Sequence, residues 1–185
     1  NDTLSYTKNI IVVNDGSSDS TQKQLQNFNG IIVSHEKNKG KGHALLSGFK
    51  KAKQLSYTHA ITIDADGQHF TDDIPLFIET INSYPDAIIV GNRDMDSENV
   101  PERSKIGKNI TNYWIKALGK IDVGDGQCGF RAYPLNYVSR LYTFTRKYTF
   151  EVEILIKAGW AKLSVISIPI KVQYFADGDK VSHFK

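Results

Sequence analysis

Ala60-Ile61-Thr62-Ile63-Asp64-Ala65-Asp66-Gly67-Gln68-His69 is a short apolar, β-branched run that breaks off at two carboxylates one residue apart. Ala60–Ile63 reads as a buried strand, and the residues after it as a tight turn at its carboxyl end. Two anions aimed into one cleft repel each other and raise each other's pKa. A divalent cation removes that repulsion. Hard carboxylate oxygens suit Mg2+ or Mn2+, ions that keep several waters and complete their shells with phosphate oxygens. Asp64 and Asp66 are therefore expected metal ligands, with the Gln68 amide on the ion or its water shell. A bend made by Asp66 and Gly67 alone would leave the same sequence.

Moving outward from this turn, the same kind of apolar run recurs at Ile10–Val13, Ile31–Val33, Ala87–Val90 and Val165–Val172. Helical patterns lie between the runs. One starts at Ser18 or Asp19 and runs toward Phe28, one covers Gly42 to Lys53, and one is capped by Asp72 or Asp73 with Pro75 in its first turn. This alternation predicts an α/β fold, a mainly parallel sheet covered by helices on both faces. Ligands of such sheets gather beyond the carboxyl ends of the strands. Asn14 to Asp19, Asp64 to His69 and Gly91-Asn92-Arg93 all follow strands, so acids and an arginine are expected at one edge.

Composition narrows the field. A length of 185 residues with 40% hydrophobic content predicts one domain, 1–185. The formal charge of +3 argues against a nucleic-acid partner. Cys128 is the lone cysteine, which excludes an internal disulfide and multi-cysteine zinc sites and fits a reducing compartment. No apolar run reaches the roughly 18 residues of a membrane span, and no signal segment opens the chain.

Several motifs in order carry a resemblance: Val12-Val13-Asn14-Asp15-Gly16-Ser17-Ser18-Asp19-Ser20-Thr21, Asn38-Lys39-Gly40-Lys41-Gly42, and the acidic turn at 64–69. Gly91-Asn92-Arg93, Gln127-Cys128-Gly129-Phe130-Arg131-Ala132-Tyr133, Phe150-Glu151-Val152-Glu153-Ile154-Leu155 and Ile168-Pro169-Ile170 continue it. Together they resemble the family 2 glycosyltransferases with their GT-A fold, a Rossmann-like three-layer sandwich, in the branch of dolichyl- and polyprenyl-phosphate sugar transferases. Members of that family usually begin with a further strand and helix, so an N-terminally truncated segment lacking that unit is expected.

The resemblance implies inverting, metal-dependent transfer of a sugar from a nucleotide-diphospho-sugar donor to a polyprenyl-phosphate or glycan acceptor, with Asp66 central to catalysis. Asp15, Lys41, Asp64 and Asp66 would bind the nucleotide sugar. Asp15 could equally make a local turn, and Lys41 could belong to a plain basic turn. Arg93, with its forked donors, would reach phosphate, or else form an ion pair. Arg131 would reach phosphate or brace Asp125. Asp125 is the candidate base for a hydroxyl acceptor, and Gln127 falls in the acceptor-side motif.

Arg103 to Lys120 forms a basic amphipathic helix. Its stripe of Ile106, Ile110, Trp114 and Leu118 is expected to face the core, while Arg103 and Lys105 meet a lipid phosphate or anionic headgroups. The segment from Asn92 to Glu102 reads as a loop able to close over substrate, and His183 as structural. Peripheral contact at the cytoplasmic face of a membrane follows from this reading. Two alternatives accompany it. One is a catalytically inactive nucleotide-sugar-binding module. The other is a haloacid-dehalogenase-like phosphatase, which Gly129 opposes by standing where a second loop aspartate would be needed.

Overall fold

The computed structural model describes residues 2–95, 100, 102–141 and 149–174. His183, and residues 96–99 and 101 of the loop expected to close over substrate, lie outside them. In chain order the elements are β1 (Ile11–Asn14), α1 (Thr21–Leu25), β2 (Ile31–Ser34), α2 (Lys41–Gln54), β3 (His59–Thr62) and α3 (Ile74–Ser83). They continue with β4 (Ile88–Arg93), α4 (Glu102–Gly119), β5 (Arg131–Pro134), α5 (Leu135–Val138), α6 (Phe150–Trp160) and β6 (Val165–Ile170).

The strands form a parallel pair, β1–β2, and a four-stranded sheet ordered β3-β5-β4-β6. β4 and β6 pair in parallel, with Ile88 opposite Val165 and Arg93 opposite Ile170. β5 runs antiparallel to both its neighbours, so the sheet is mixed where the alternation of strand and helix predicts parallel pairing.

β4 sits between two neighbours, and Ile88, Ile89 and Val90 are fully buried, as a continuous apolar run predicts. Phe77 of α3 stacks on Phe130 with ring centroids 4.3 Å apart, closing the core over the strand that follows. α2 lies against β1 and β3, and α3 against β4 and β5.

Two helix starts differ from expectation. α1 is short, ending at Leu25 ahead of Asn27-Phe28-Asn29-Gly30, and Asp19 receives the Thr21 N–H at 2.9 Å. Asp73 precedes α3 but does not cap it with its side chain. Instead its Oδ2 accepts the N–H of Lys171 at 2.8 Å, tying α3 to the end of β6.

α4 corrects the largest expectation about packing. Ile106, Ile110, Trp114 and Leu118 do not face the core; each is at least half exposed, as is Tyr113. The buried side of α4 carries Ile115 and Gly119, and next to them polar groups that clamp the loop before β5. Asn112 donates to the Gly124 carbonyl at 2.9 Å and accepts the Gly126 N–H at 2.8 Å. Lys108 donates to Asn92 Oδ1 at 3.1 Å. α4 crosses α6 where two glycines meet. A Cβ on Gly159 would overlap the Gly119 carbonyl group, lying 2.7 Å from its carbon.

Candidate active site

The carboxyl ends of β1, β3 and β4 deliver their polar residues to one region, as the sheet rule predicts. His69 registers this gathering, since its imidazole lies within electrostatic reach of Asp64, Asp66, Arg93 and Lys41. Burial pushes the His69 ring below its ordinary pKa against the pull of the two aspartates, so it is neutral at neutral pH. Its Nδ1 is buried and has no hydrogen-bond partner among the described residues.

Asp64 and Asp66 are both partly accessible. Asp64 Oδ2 accepts from Lys41 Nζ at 2.8 Å, and Asp66 Oδ1 accepts the Gln68 N–H at 3.1 Å. Among the described residues no hydrogen bond reaches Asp64 Oδ1 or Asp66 Oδ2, so each carboxylate keeps one oxygen available. Two carboxylates two residues apart, with the Gln68 amide two residues further along the chain, make an oxygen-rich donor set that fits a hard divalent cation. No cluster of three or more His, Cys, Asp or Glu with metal-holding geometry occurs among the described residues. An ion bound by two carboxylates and an amide would need water or phosphate to complete its shell.

Lys41 begins α2 and does not stand free in a flexible loop. Its ammonium bridges Asp64 and, at 3.0 Å, Glu151 Oε2 at the start of α6. Burial alone would lower the Lys41 pKa, but the two carboxylates hold it above its ordinary value, so it is charged throughout the neutral range. Glu151 is buried, at 6% exposure, and sequence reasoning assigned it no role. A usable signal was present: an acid between Phe150 and Val152 in an otherwise apolar helix start.

Gly129 is a second residue that sequence reasoning left without a role. It packs against the Asp64 carboxylate so tightly that a Cβ would sit 2.7 Å from Cγ and 2.9 Å from Oδ1. Its φ is not positive, so it is close approach that requires glycine here.

Asp15 is a structural tie in this state. Its carboxylate accepts the N–H groups of Lys39 and Gly40 at 3.0 and 2.8 Å and faces His35 Nδ1 at 2.6 Å. Burial would raise its pKa, but His35 and the two backbone donors hold it below the ordinary carboxylate value. The exit of β1 is thereby fastened to the loop that starts α2.

Arg93 and Asp125 form a side-on pair, Nε to Oδ2 at 2.6 Å and Nη2 to Oδ1 at 3.1 Å. Asp125 is fully buried and also accepts the Gln127 N–H at 3.1 Å. A carboxylate so enclosed offers no oxygen to an incoming hydroxyl group. Asp125 braces Arg93, whose guanidinium is raised above its ordinary pKa by that partner despite burial. Arg131 also departs from expectation. It is fully buried and donates to the carbonyls of Cys128, Gly126 and Glu151 at 2.6, 2.8 and 2.8 Å, so it reaches backbone and not phosphate. Gln127 is exposed, its amide on Thr111 of α4 at 3.0 Å, while Arg103 is exposed and Lys105 half-buried on the first turns of α4.

Comparison with known proteins adds a second kind of finding. The model of Glycosyl transferase family 2 matches residues 2–149. A UDP-N-acetylglucosamine–dolichyl-phosphate N-acetylglucosaminyltransferase of Methanococcus voltae is 36% identical over 188 residues, covering 90% of this chain and 75% of that protein. A dolichyl-phosphate beta-glucosyltransferase of Saccharomyces cerevisiae is 27% identical, covering 94% of this chain and 59% of its own length. Glucosyl-3-phosphoglycerate synthase of Mycobacterium tuberculosis, crystallised with Mn2+, uridine diphosphate and glucosyl-3-phosphoglycerate, superimposes with a TM-score of 0.69 at 16% identity. That match covers 92% of this chain and 61% of the solved one, so the chain spans about three fifths of that structure.

Proposed function

The chain belongs to glycosyl transferase family 2, and from that premise we propose that it transfers a sugar from a nucleotide-diphospho-sugar to a lipid phosphate, with inversion, at the exit of β3. Membership carries the GT-A fold with it and removes the phosphatase alternative. The observation that supports the reading best is the pair Asp64 and Asp66, each with one oxygen unengaged, beside the Lys41 ammonium. Mn2+ or Mg2+ held by Asp64, Asp66 and Gln68 would supply Lewis-acid stabilisation of charge on the departing diphosphate. The solved relative with Mn2+ and uridine diphosphate lends support to such an ion.

The chain's own residues divide the remaining work. Asp15 and its backbone partners shape the wall against which the nucleotide rests. Lys41 offsets the acid charge around Asp64, so an anionic donor can approach. Arg93, fixed by Asp125, presents a permanent cation to phosphate. In the transfer, an acceptor oxygen bonds to the anomeric carbon as the bond from that carbon to the diphosphate oxygen breaks. The diphosphate leaves with the electron pair. A lipid phosphate is already an anion and requires no base, which matches the enclosure of Asp125. A glycan hydroxyl would require one. Lipid phosphate is also the acceptor class in the printed names of the Methanococcus voltae and Saccharomyces cerevisiae relatives.

Arg103, Lys105 and Gln127 would line the acceptor side, with the protein seated at the cytoplasmic face of a membrane. No described helix is long and apolar enough to cross one. A single core joins the described residues, in support of one catalytic unit over 1–185. The test is transfer of radiolabelled sugar to polyprenyl phosphate and, separately, to soluble oligosaccharides, by wild type and by Asp66→Asn with Mn2+ saturating. Loss of transfer in the variant is expected. Undiminished turnover would remove the metal assignment, and transfer confined to oligosaccharides would remove the lipid acceptor. Donor binding in calorimetry with no transfer to any acceptor would establish an inactive binding module instead.

A further inference from the structure

α4 is built inside out for a helix of a water-soluble domain. Its inward side spends Lys108, Thr111 and Asn112 on hydrogen bonds to Asn92, Gln127 and the loop at Gly124 and Gly126. Its outward side carries Ile106, Ile110, Tyr113, Trp114 and Leu118, each exposed by half or more. At 100° per residue these five lie within one sector of the helix. Tyr113 and Trp114 meet edge to face with centroids 5.5 Å apart, the amphipathic ring types that settle at a membrane–water boundary.

The apolar sector continues past the end of the helix. Trp160 of α6 donates its Nε1–H to the Leu118 carbonyl at 2.8 Å and leaves its ring 65% exposed. Between them opens an apolar groove of about 400 Å3 lined also by Val152 and Ile156.

Charge identifies the occupant. Arg103 stands within the sector and Lys105 and Lys116 along one flank of it, Lys116 paired with Asp122 at 2.8 Å, and Glu102 is the one acid within α4. Cations within and along one flank of an apolar stripe complement an anionic headgroup layer. A contact between copies of this chain would bring like charges together.

We propose that the outward face of α4, extended by Trp160, docks on an anionic lipid bilayer, seating Trp114 and Ile110 at the headgroup boundary. This rests on the lipid-phosphate reading above and gives that reading its geometry. The polar side of the same helix holds Asn92 and the loop of Gln127, so docking holds the acceptor side of the site about one helix diameter from the lipid layer.

The test uses vesicles without polyprenyl phosphate, so that binding is separated from catalysis. The probe is phosphatidylcholine with and without about one third phosphatidylglycerol, read by co-sedimentation and by Trp fluorescence in a Trp160→Phe background that leaves Trp114 as reporter. Anionic vesicles should sediment the chain and shift Trp114 emission to the blue, neutral vesicles at least tenfold less. Ile110→Asp with Trp114→Asp should cut co-sedimentation at least tenfold with the melting temperature unchanged, because both side chains are exposed. Binding unaffected by the double substitution would overturn the proposal. So would a wild type that ignores anionic vesicles, or one whose α4 face is covered by a second copy, seen as a dimer that the double substitution dissolves. Transfer to a short, water-soluble polyprenyl phosphate tests the catalytic reading alone. A chain that docks but cannot use that acceptor keeps the surface and loses the reaction.

Discussion

Replacing Gly129 by Ala tests whether the position of Asp64 governs activity. Gly129 has an ordinary φ, so alanine costs the backbone nothing and only the new methyl group acts. That methyl would overlap Asp64 Oδ2 and lie 2.7 Å from Cγ, where ordinary contact starts near 3.4 Å, so the carboxylate must retreat by at least about 0.7 Å. Retreat stretches the 2.8 Å bond to Lys41 and moves the oxygen meant for the cation. A misplacement near 1 Å in catalytic geometry costs up to about 100-fold, so transfer should fall by roughly 30- to 100-fold. Side-chain atoms at the site edge absorb the strain, so the melting temperature should drop by only a few degrees. The assay is sugar transfer to polyprenyl phosphate as Mn2+ is titrated, with the metal requirement shifted to higher concentration. A Gly129→Ala protein with wild-type turnover and metal dependence would show that the carboxylate's placement does not matter.

Asp125→Ala strands the Arg93 guanidinium, and breaking a buried pair from one side costs about 3–5 kcal/mol; urea denaturation should show a loss of that order. Asp15 lies below its usual 3.8, so its contribution to stability is complete above 3.8 and disappears as pH falls through the folded value. Asp15→Asn should flatten that acid limb in melting curves taken from about pH 5 to pH 2. For Lys41, raised above 10.5, the sign reverses: its contribution is complete below 10.5 and fades only at more alkaline pH, so Lys41→Met should lose the alkaline limb. Cys128 is 1% exposed and its thiol is pushed up to about 12 by burial. It should therefore ignore a chromogenic disulfide reagent at neutral pH and react stoichiometrically once the chain is unfolded.

The strands were readable because their apolar runs are continuous and end at turn residues. The placement of Asp64 and Asp66 was readable because both sit within four residues of the end of β3. What escaped depends on partners distant in sequence. Nothing near Lys41 announces Glu151, and nothing near Asp125 announces that Arg93 will enclose it. Arg131 was expected to reach phosphate or brace Asp125, yet three backbone carbonyls claim it, a competition that only tertiary structure settles. The direction of β5 was hidden because four residues with a buried pattern pair in either sense. The stripe on α4 shows the converse error. Periodicity locates an apolar face but does not say whether protein or something else will cover it.

The two glycines at the crossing of α4 and α6 allow no spacer between the helix backbones. Glu151 lies eight residues before Gly159 on α6, about 12 Å along the axis at 1.5 Å per residue. The helix that carries the apolar stripe and the helix that steadies Lys41 are thus riveted at one point, and a tilt in the first is handed to the second. Substitution of the outward side chains leaves this crossing intact, whereas a single methyl group at the rivet would force the two helices apart.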